Sequence, residues 1–184
     1  MLDASKVAPC PNHYTHAYHF NELSLETSSN EQPYFRALVF FNKKPDVTAA
    51  FFHEHWKSVH ADLTLQTPGA GVNLMRYVQF HQEAKHVNDL QPLLDDSGGS
   101  IQIMPYDGCA EFHAKSAKEF VVFMKSVWAS DHLVGCGKRF ADMTQGYYVM
   151  VGYDNLIYGN AIPEIGGADG ILAEDARFGE ETKT

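Results

Sequence analysis

The order of strand-like and helix-like segments along the 184 residues predicts an α+β protein of the ferredoxin-like class. Two observations carry this prediction. Short runs alternate apolar and polar side chains as strands do, and two longer segments repeat apolar residues at helical spacing. The segments follow one another as β-α-β-β-α-β. The predicted strands are residues 35–42, 73–82, 107–114 and 146–153, and the predicted helices begin near Thr48 and Ser116.

The first strand and helix have the clearest local signals. Residues 35–42 read FRALVFFN, a run of aromatic and β-branched side chains. Pro45 then marks a turn, and either Asp46 or Thr48 can cap the helix that follows. We expect this helix to end near residue 63. Its predicted apolar face consists of side chains at helical spacing, namely Phe52, Trp56, Val59 and Leu63.

The second half of the pattern is less regular. Ser116 and Glu119 have the spacing of a capping box at the start of the second helix. Residues 83–106 read as a long polar loop, and residues 129–145 read as a segment broken by glycines. The predicted core face of the second helix is Phe120, Phe123, Met124 and Val127. Strict alternation along residues 73–82 predicts two faces, one with Met75, Tyr77, Gln79 and His81 and the other with Leu74, Arg76, Val78 and Phe80.

A four-stranded sheet with two helices leaves one face uncovered, which has consequences for assembly. The helices can cover only one side of the sheet, and an apolar sheet needs a cover on both sides. A second copy of the chain would supply it, so we expect a homodimer in which two sheets form a dimeric α+β barrel. The expected domain is residues 35–155. It is preceded by an N-terminal arm, 1–34, and followed by an acidic tail, 156–184, that is solvated or loosely docked.

Composition excludes several classes of partner. The formal net charge is −9, and nucleic acids and anionic membranes both require a basic face. Cys10, Cys109 and Cys136 are odd in number and widely spaced, which favours reduced thiols. The N-terminus carries no apolar signal segment, and no apolar run is long enough to span a bilayer. We therefore expect a cytoplasmic protein.

The first helix and the strand at residues 73–82 carry the candidate catalytic residues. His53, Trp56 and His60 are three and then four residues apart, so two imidazoles flank one indole at the edge of the apolar face. Imidazole titrates near neutral pH and is suited to acid–base catalysis. If the face with His81 and Tyr77 meets this helix, both elements reach one substrate. If that face meets a dimer partner instead, they cannot cooperate.

His60 is the leading acid–base candidate, and the expected catalytic set is His60, His81, Tyr77 and His53. We expect Trp56 to offer a flat apolar wall to a planar ring. The remaining expected substrate contacts are Gln79, Phe41 and Glu111. His55 and Glu54 point away from this edge and are expected to face solvent.

The sequence gives no reason to expect a metal or an organic cofactor. His13, His16 and His19 form a series in the N-terminal arm, but this arm is an extended segment, and no metal site is expected there. No glycine-rich phosphate loop follows a predicted strand, because Gly69-Ala70-Gly71 precedes a strand and Gly166-Gly167 lies in the tail.

Several motifs together resemble the EthD-like family of dimeric α+β barrel proteins, and its fungal branch in particular. They are FHEHWKSVH at residues 52–60, YVQFH at 77–81, DGCAEF at 107–112 and GYD at 152–154. The resemblance covers about residues 35–155. The chain departs from the compact family pattern in its long N-terminal arm and its acidic tail.

The resemblance implies a cofactor-free tailoring enzyme of aromatic polyketide biosynthesis. Similar proteins are decarboxylases of anthraquinone-type carboxylic acids, dehydratases and cyclases, so a lyase is expected. Related barrels include cofactor-free anthrone monooxygenases, which form the first alternative. A non-catalytic protein that shelters a small hydrophobic molecule is the second. Sequence does not choose among decarboxylation, dehydration, cyclisation and oxygenation, and it does not give the substrate.

Overall fold

The computed structural model describes residues 16–27 and 29–178. The chain forms two compact units. One is Pro33–Tyr153. The other joins the described residues up to Gln32 with those from Asp154 onward. His13 and Cys10 lie outside the described residues.

Within Pro33–Tyr153, four antiparallel strands form one sheet in the order β2-β3-β1-β4. This is the ferredoxin-like arrangement, so the predicted α+β class is confirmed. The strands are β1 (Phe35–Phe41), β2 (Leu74–His81), β3 (Gly108–Ala114) and β4 (Tyr148–Gly152).

The predicted helix starts are confirmed by their caps. The Thr48 hydroxyl accepts a hydrogen bond from the Phe51 amide, so Thr48 and not Asp46 caps the first helix. The Ser116 hydroxyl accepts from the Glu119 amide in the same way. Each cap satisfies an amide that has no partner within its own helix.

Helices also form where the sequence predicted loops, and those predictions were wrong. The helices of this unit are α1, made of the consecutive segments Ala49–His55, Trp56–His60 and Ala61–Leu65, then α2 (Ala84–Asp89), α3 (Gln91–Asp96), α4 (Ala117–Ala129) and α5 (Asp131–Phe140). In α5 the Ser130 hydroxyl caps the Leu133 amide. Gly135 and Gly137 lower helix propensity, but the helix packs its buried face, including Phe140, against the core.

The middle of α1 is a π-turn, and this changes which side chains are buried. The amide of Ala61 donates to the carbonyl of Trp56, five residues back. A π-turn inserts one extra residue and rotates the helix that follows it. Val59, which the regular spacing assigned to the core, is 47% exposed, whereas Thr64 is 4% exposed.

Strand β2 contains a corresponding irregularity. A bulge between Leu74 and Arg76 shifts the register against β3. Leu74 therefore pairs with Ala114 and belongs to the core cluster beneath the helices. The strict alternation predicted for this strand was wrong at Leu74, because a bulge moves one residue to the other face.

The register beyond the bulge places three expected site residues on the helix-covered face. Residues paired directly across antiparallel strands share a face. The three rungs that cross β2, β3 and β1 on this face are Tyr77–Phe112–Ala37, Gln79–Ala110–Val39 and His81–Gly108–Phe41. The sequence left open whether the β2 face with Tyr77, Gln79 and His81 meets the helices or a dimer partner. The structure shows that it meets the helices.

The second unit is ordered in its described part. Asn30 donates from its side chain to the carbonyls of Leu156, Ala168 and Asp169. Arg177 forms an ion pair with Glu22. Residues 156–178 therefore do not form the solvated or loosely docked tail expected from their composition.

Candidate functional site

A cavity of about 370 Å³ lies between the sheet and the helices of the Pro33–Tyr153 unit. Within residues 16–27 and 29–178, twenty residues line it, and none of them is Asp, Glu, Lys or Arg. The polar groups among them come from His60, Thr64, Tyr77 and Tyr147, together with the two indoles. The apolar lining consists of side chains from the sheet, α4, α5 and the segment after α5, namely Val39, Phe41, Ala110, Phe112, Phe120, Val121, Met124, Val127, Leu133, Val134, Phe140, Met143 and Val149.

The Trp56 indole forms one wall and is held on several sides. It is 1% exposed and meets the Phe41 ring edge-on at 4.8 Å between centroids. Gly108 lies against its other edge so closely that an added Cβ would be 2.4 Å from an indole carbon. Glycine is therefore required on the neighbouring strand. Trp56 and Phe41, which were both expected to contact substrate, line this cavity.

His60 lines the same cavity and supplies the only imidazole among the described residues that line it. The π-turn brings it to the buried side, where its ring contacts Phe140 edge-on at 4.9 Å. Its Nδ1 is buried and has no hydrogen-bond partner among the described residues. Burial, with a smaller effect of nearby His55, lowers the pKa of His60 from 6.5 to about 4. At neutral pH the ring is therefore uncharged.

Tyr77 reaches the cavity from the sheet. Its ring stacks on Phe112 with centroids 4.9 Å apart and an interplanar angle of 4°. Burial raises the pKa of the Tyr77 phenol, although hydrogen bonding with Gln79, Trp56 and Thr64 acts in the opposite direction. The phenol therefore keeps its proton at neutral pH.

His53 and His81 form a separate pair beside Trp56 and do not line the cavity. Their Nδ1 atoms are 2.8 Å apart, and the His81 ring centroid lies 4.4 Å from that of Trp56. Burial lowers the pKa of both rings, and nearby Glu83 opposes this effect. The structure thus divides the expected catalytic set into His60 and Tyr77 at the cavity and a histidine pair outside it.

Gln79 connects these two groups and also does not line the cavity. Its side-chain amide donates to the Tyr77 hydroxyl at 2.8 Å and to the Trp56 carbonyl at 3.0 Å. Its Oε1 lies 3.2 Å from His81 Nε2. The expected direct contact between Gln79 and substrate is replaced by these internal contacts.

Glu111 lies on the opposite face of the sheet. It pairs across β1 with Leu38, whose neighbours in the strand face the helices. Its carboxylate forms an ion pair with Arg36 at 2.7 Å and lies 3.4 Å from His113. The expectation that Glu111 contacts substrate in this cavity is therefore wrong, because strand alternation carries it to the other side.

Sequence reasoning missed α5 and its contribution to the site. Leu133, Gly137 and Phe140 of this helix line the cavity. The missed signal was Ser130 as a capping residue, followed by Leu133, Cys136 and Phe140 at spacings of three and four residues. His55 was also assigned wrongly: it is half-buried, and its Nε2 lies 3.1 Å from the Cys136 sulfur.

Among residues 16–27 and 29–178, no group of three or more His, Cys, Asp or Glu is arranged to hold a metal ion. No helix in the same part of the chain is long and apolar enough to cross a membrane.

Comparison with known proteins gives a family and several solved structures. The model of the EthD domain family matches residues 44–144, which include both histidine sites, Trp56 and Tyr77. The chain is also similar to the crystal structure of an ethyl tert-butyl ether D (EthD) family protein from Bacillus halodurans C-125. Identity is 18%, the TM-score is 0.39, and the match covers 66% of this chain and 98% of that one. A search of curated proteins finds no match.

Proposed function

The chain belongs to the EthD domain family, and we propose that it is a cofactor-free tailoring enzyme of aromatic polyketide biosynthesis, of lyase type. The reaction is decarboxylation, or dehydration and cyclisation, of a polycyclic β-keto or β-hydroxy precursor. One observation carries the proposal: an apolar cavity contains a single imidazole, His60, whose buried Nδ1 has no partner among the described residues.

The shape of the cavity supports a planar aromatic substrate. Its volume of about 370 Å³ is within the range of small-molecule sites. Trp56, Phe112 and Phe140 present aromatic surfaces to it. Such walls favour a flat ring system, which stacks on aromatic faces and loses little conformational freedom on binding.

His60 and Tyr77 supply the groups that dehydration requires. A neutral imidazole can remove a proton from the carbon next to a ketone, and the electron pair moves to the ketone oxygen as an enolate. The protonated Tyr77 hydroxyl can donate a hydrogen bond to that oxygen. The imidazolium then returns its proton to the departing β-hydroxyl, so that water leaves and His60 is neutral again.

The same cavity would favour decarboxylation because none of the described residues that line it is charged. No cation lines the walls, so a bound carboxylate loses its water without gaining an ion pair. Breaking the bond to carbon dioxide moves the charge into the ketone as a delocalised enolate, which is less disfavoured there. The enolate carbon then takes a proton from a water molecule, and the hydroxide left behind combines with carbon dioxide to give bicarbonate.

The test is turnover of a panel of polycyclic β-keto carboxylic acids and β-hydroxy ketones, under nitrogen and under air. Carbon dioxide release under nitrogen would establish decarboxylation, and loss of water with a new aromatic absorbance would establish dehydration. Absence of both from the whole panel, with the same compounds bound, would contradict the lyase proposal.

A cofactor-free monooxygenase of anthrone type is the second candidate. The observation that favours it is that Trp56 and Tyr77 both line the cavity. Such an enzyme does not need an acid–base pair of histidines. Oxygen uptake in the same panel, with no product under nitrogen, would favour it over the lyase.

We also propose that the protein is a homodimer that pairs the sheet faces turned away from the helices. On that face Phe80, Tyr148 and Met150 are 65%, 58% and 60% exposed. An apolar patch of this kind on a sheet is typical of an interaction surface. We expect a dimer in light scattering at micromolar concentration, with an interface above about 1,000 Å². A monomer at that concentration would contradict the proposal.

A further inference from the structure

His53, His81, Gln79 and Tyr77 form a series of hydrogen-bonded side chains that ends at the cavity. The hydrogen bonds of Gln79 fix the donor-to-acceptor direction of this hydrogen-bonded chain. The Trp56 carbonyl can only accept, so the atom of Gln79 that lies 3.0 Å from it is the amide nitrogen. The same nitrogen lies 2.8 Å from the Tyr77 hydroxyl. Both protons of the amide are therefore used, and Tyr77 is the acceptor in its contact with Gln79.

The same assignment determines the tautomers of the histidine pair. Gln79 Oε1 faces His81 Nε2 at 3.2 Å and can only accept, so Nε2 of His81 carries a proton. A neutral His81 then has a bare Nδ1, which accepts from Nδ1–H of His53 at 2.8 Å. The chain thus runs in one direction from the half-buried pair to the cavity.

The end of the chain leaves the Tyr77 proton on the cavity side. The Tyr77 oxygen accepts from Gln79, so its own proton is directed elsewhere. Its other polar neighbours are the Trp56 indole, which can only donate, and Thr64, which also lines the cavity. The Thr64 hydroxyl donates to the His60 carbonyl at 2.7 Å, so toward Tyr77 it can only accept. A ligand oxygen in the cavity competes with it for the same proton.

We infer that Gln79 and His81 are positioning residues that hold the Tyr77 hydroxyl as a hydrogen-bond donor to an oxygen of the bound substrate. The inference rests on the proposed function only in taking the cavity as the substrate site. His53 completes the chain by fixing the tautomer of His81. The raised pKa of Tyr77 keeps the donor proton in place.

The experiment compares two probes of the same planar shape, 9-fluorenone, which has a carbonyl acceptor, and fluorene, which has none. Equilibrium dialysis gives the Kd of each, and the readout is the ratio of Kd for fluorene to Kd for fluorenone. Tyr77→Phe should lower this ratio about three- to tenfold, the usual net effect of one neutral hydrogen bond. Fluorene affinity should change little.

The near-isosteric variant Gln79→Glu separates positioning from simple packing. Its carboxylate accepts where the amide donated, so it draws the Tyr77 proton away from the cavity. The ratio should fall as far as in Tyr77→Phe. The matched control is Gln82→Glu, which makes the same change at an amide whose partners are the carbonyls of Met104 and Tyr106 and not Tyr77, and it should leave the ratio unchanged.

Nitrogen NMR of the imidazoles in the unmodified protein provides a readout that does not depend on any variant. At neutral pH we expect His81 as the Nε2–H tautomer and His53 as the Nδ1–H tautomer. The opposite tautomer for His81, or a wild-type ratio in Gln79→Glu, would overturn this inference and leave the proposed function standing. If neither probe binds, the substrate site itself is wrong, and both proposals fail.

Discussion

The two sides of Trp56 show how one helix presents two histidines to different environments. On one side, His60 lines an apolar cavity with its Nδ1 unpartnered among the described residues. On the other, His53 contacts His81, which a hydrogen bond joins to Gln79. The first arrangement leaves an imidazole available to a ligand. The second uses its imidazoles to satisfy one another.

The difference lies in hydrogen-bonding capacity: among the described residues, His60 Nδ1 has no partner, whereas His53 and His81 contact each other. Burial lowers the pKa of all three rings, and it lowers that of His60 to about 4. Nearby Glu83 favours the charged form of His53 and His81 and so limits the effect of burial on them. No carboxylate lines the cavity beside His60.

The largest expected effect, and the most direct way to break this comparison, is the loss of His60. Removal of a general acid–base group costs about 10²–10⁴ in rate. We expect His60→Ala to lose at least a hundredfold in kcat on a substrate found with the panel, with fluorene affinity within a few-fold of wild type. Turnover that survives in His60→Ala would show that the cavity-side imidazole is not catalytic.

The pH dependence of stability sharpens the same contrast. The folded state holds His60 neutral down to about pH 4, whereas the unfolded chain protonates it near pH 6.5. The unfolded state therefore binds more protons between these values, and the free energy of unfolding should fall as pH drops from 6.5 to 4. A shift of this size corresponds to about 3 kcal/mol at most.

Denaturant unfolding at several pH values measures this loss, with His60→Gln as the matched variant. His53 and His81 shift in the same direction and contribute to both proteins, so the difference between the two curves isolates His60. Parallel curves for wild type and His60→Gln would show that the cavity does not suppress protonation of this ring.

A substitution of Gly108 tests whether the position of Trp56 keeps His60 at the cavity apart from the His53–His81 pair. Alanine at this position would place its Cβ against the indole, and overpacking of a core typically costs about 1–3 kcal/mol. We expect Gly108→Ala to lose this much stability in denaturant unfolding and to weaken fluorene binding. Gly152→Ala, on β4 with no atom within 4 Å of the added carbon, is the control and should change neither.

The smallest expected effect concerns the π-turn that places His60 on the buried side. Val59 is 47% exposed, so Val59→Ala should change the free energy of unfolding by no more than about 0.5 kcal/mol. Thr64 is 4% exposed, and Thr64→Ala should cost about 1 kcal/mol. The reverse order in denaturant unfolding would restore the regular helical face and remove His60 from the cavity.

The sequence by itself determined the elements whose signals are local. Alternation and β-branched residues identified the four strands, and the hydroxyls of Thr48 and Ser116 marked the starts of two helices. Element order then gave the ferredoxin-like plan, because connection rules allow few alternatives. The spacing of His53, Trp56 and His60 also placed three of the site residues on one edge of α1.

Tertiary structure decided what each of those residues does. The π-turn buries Thr64 in place of Val59, and the bulge in β2 returns Leu74 to the core. Both are one-residue insertions in hydrogen-bond ladders, which packing stabilises and a periodic pattern does not contain. The division between His60 at the cavity and His81 in a hydrogen-bonded chain is also a result of tertiary packing. It depends on contacts between α1 and β2, which the spacing within either segment does not specify.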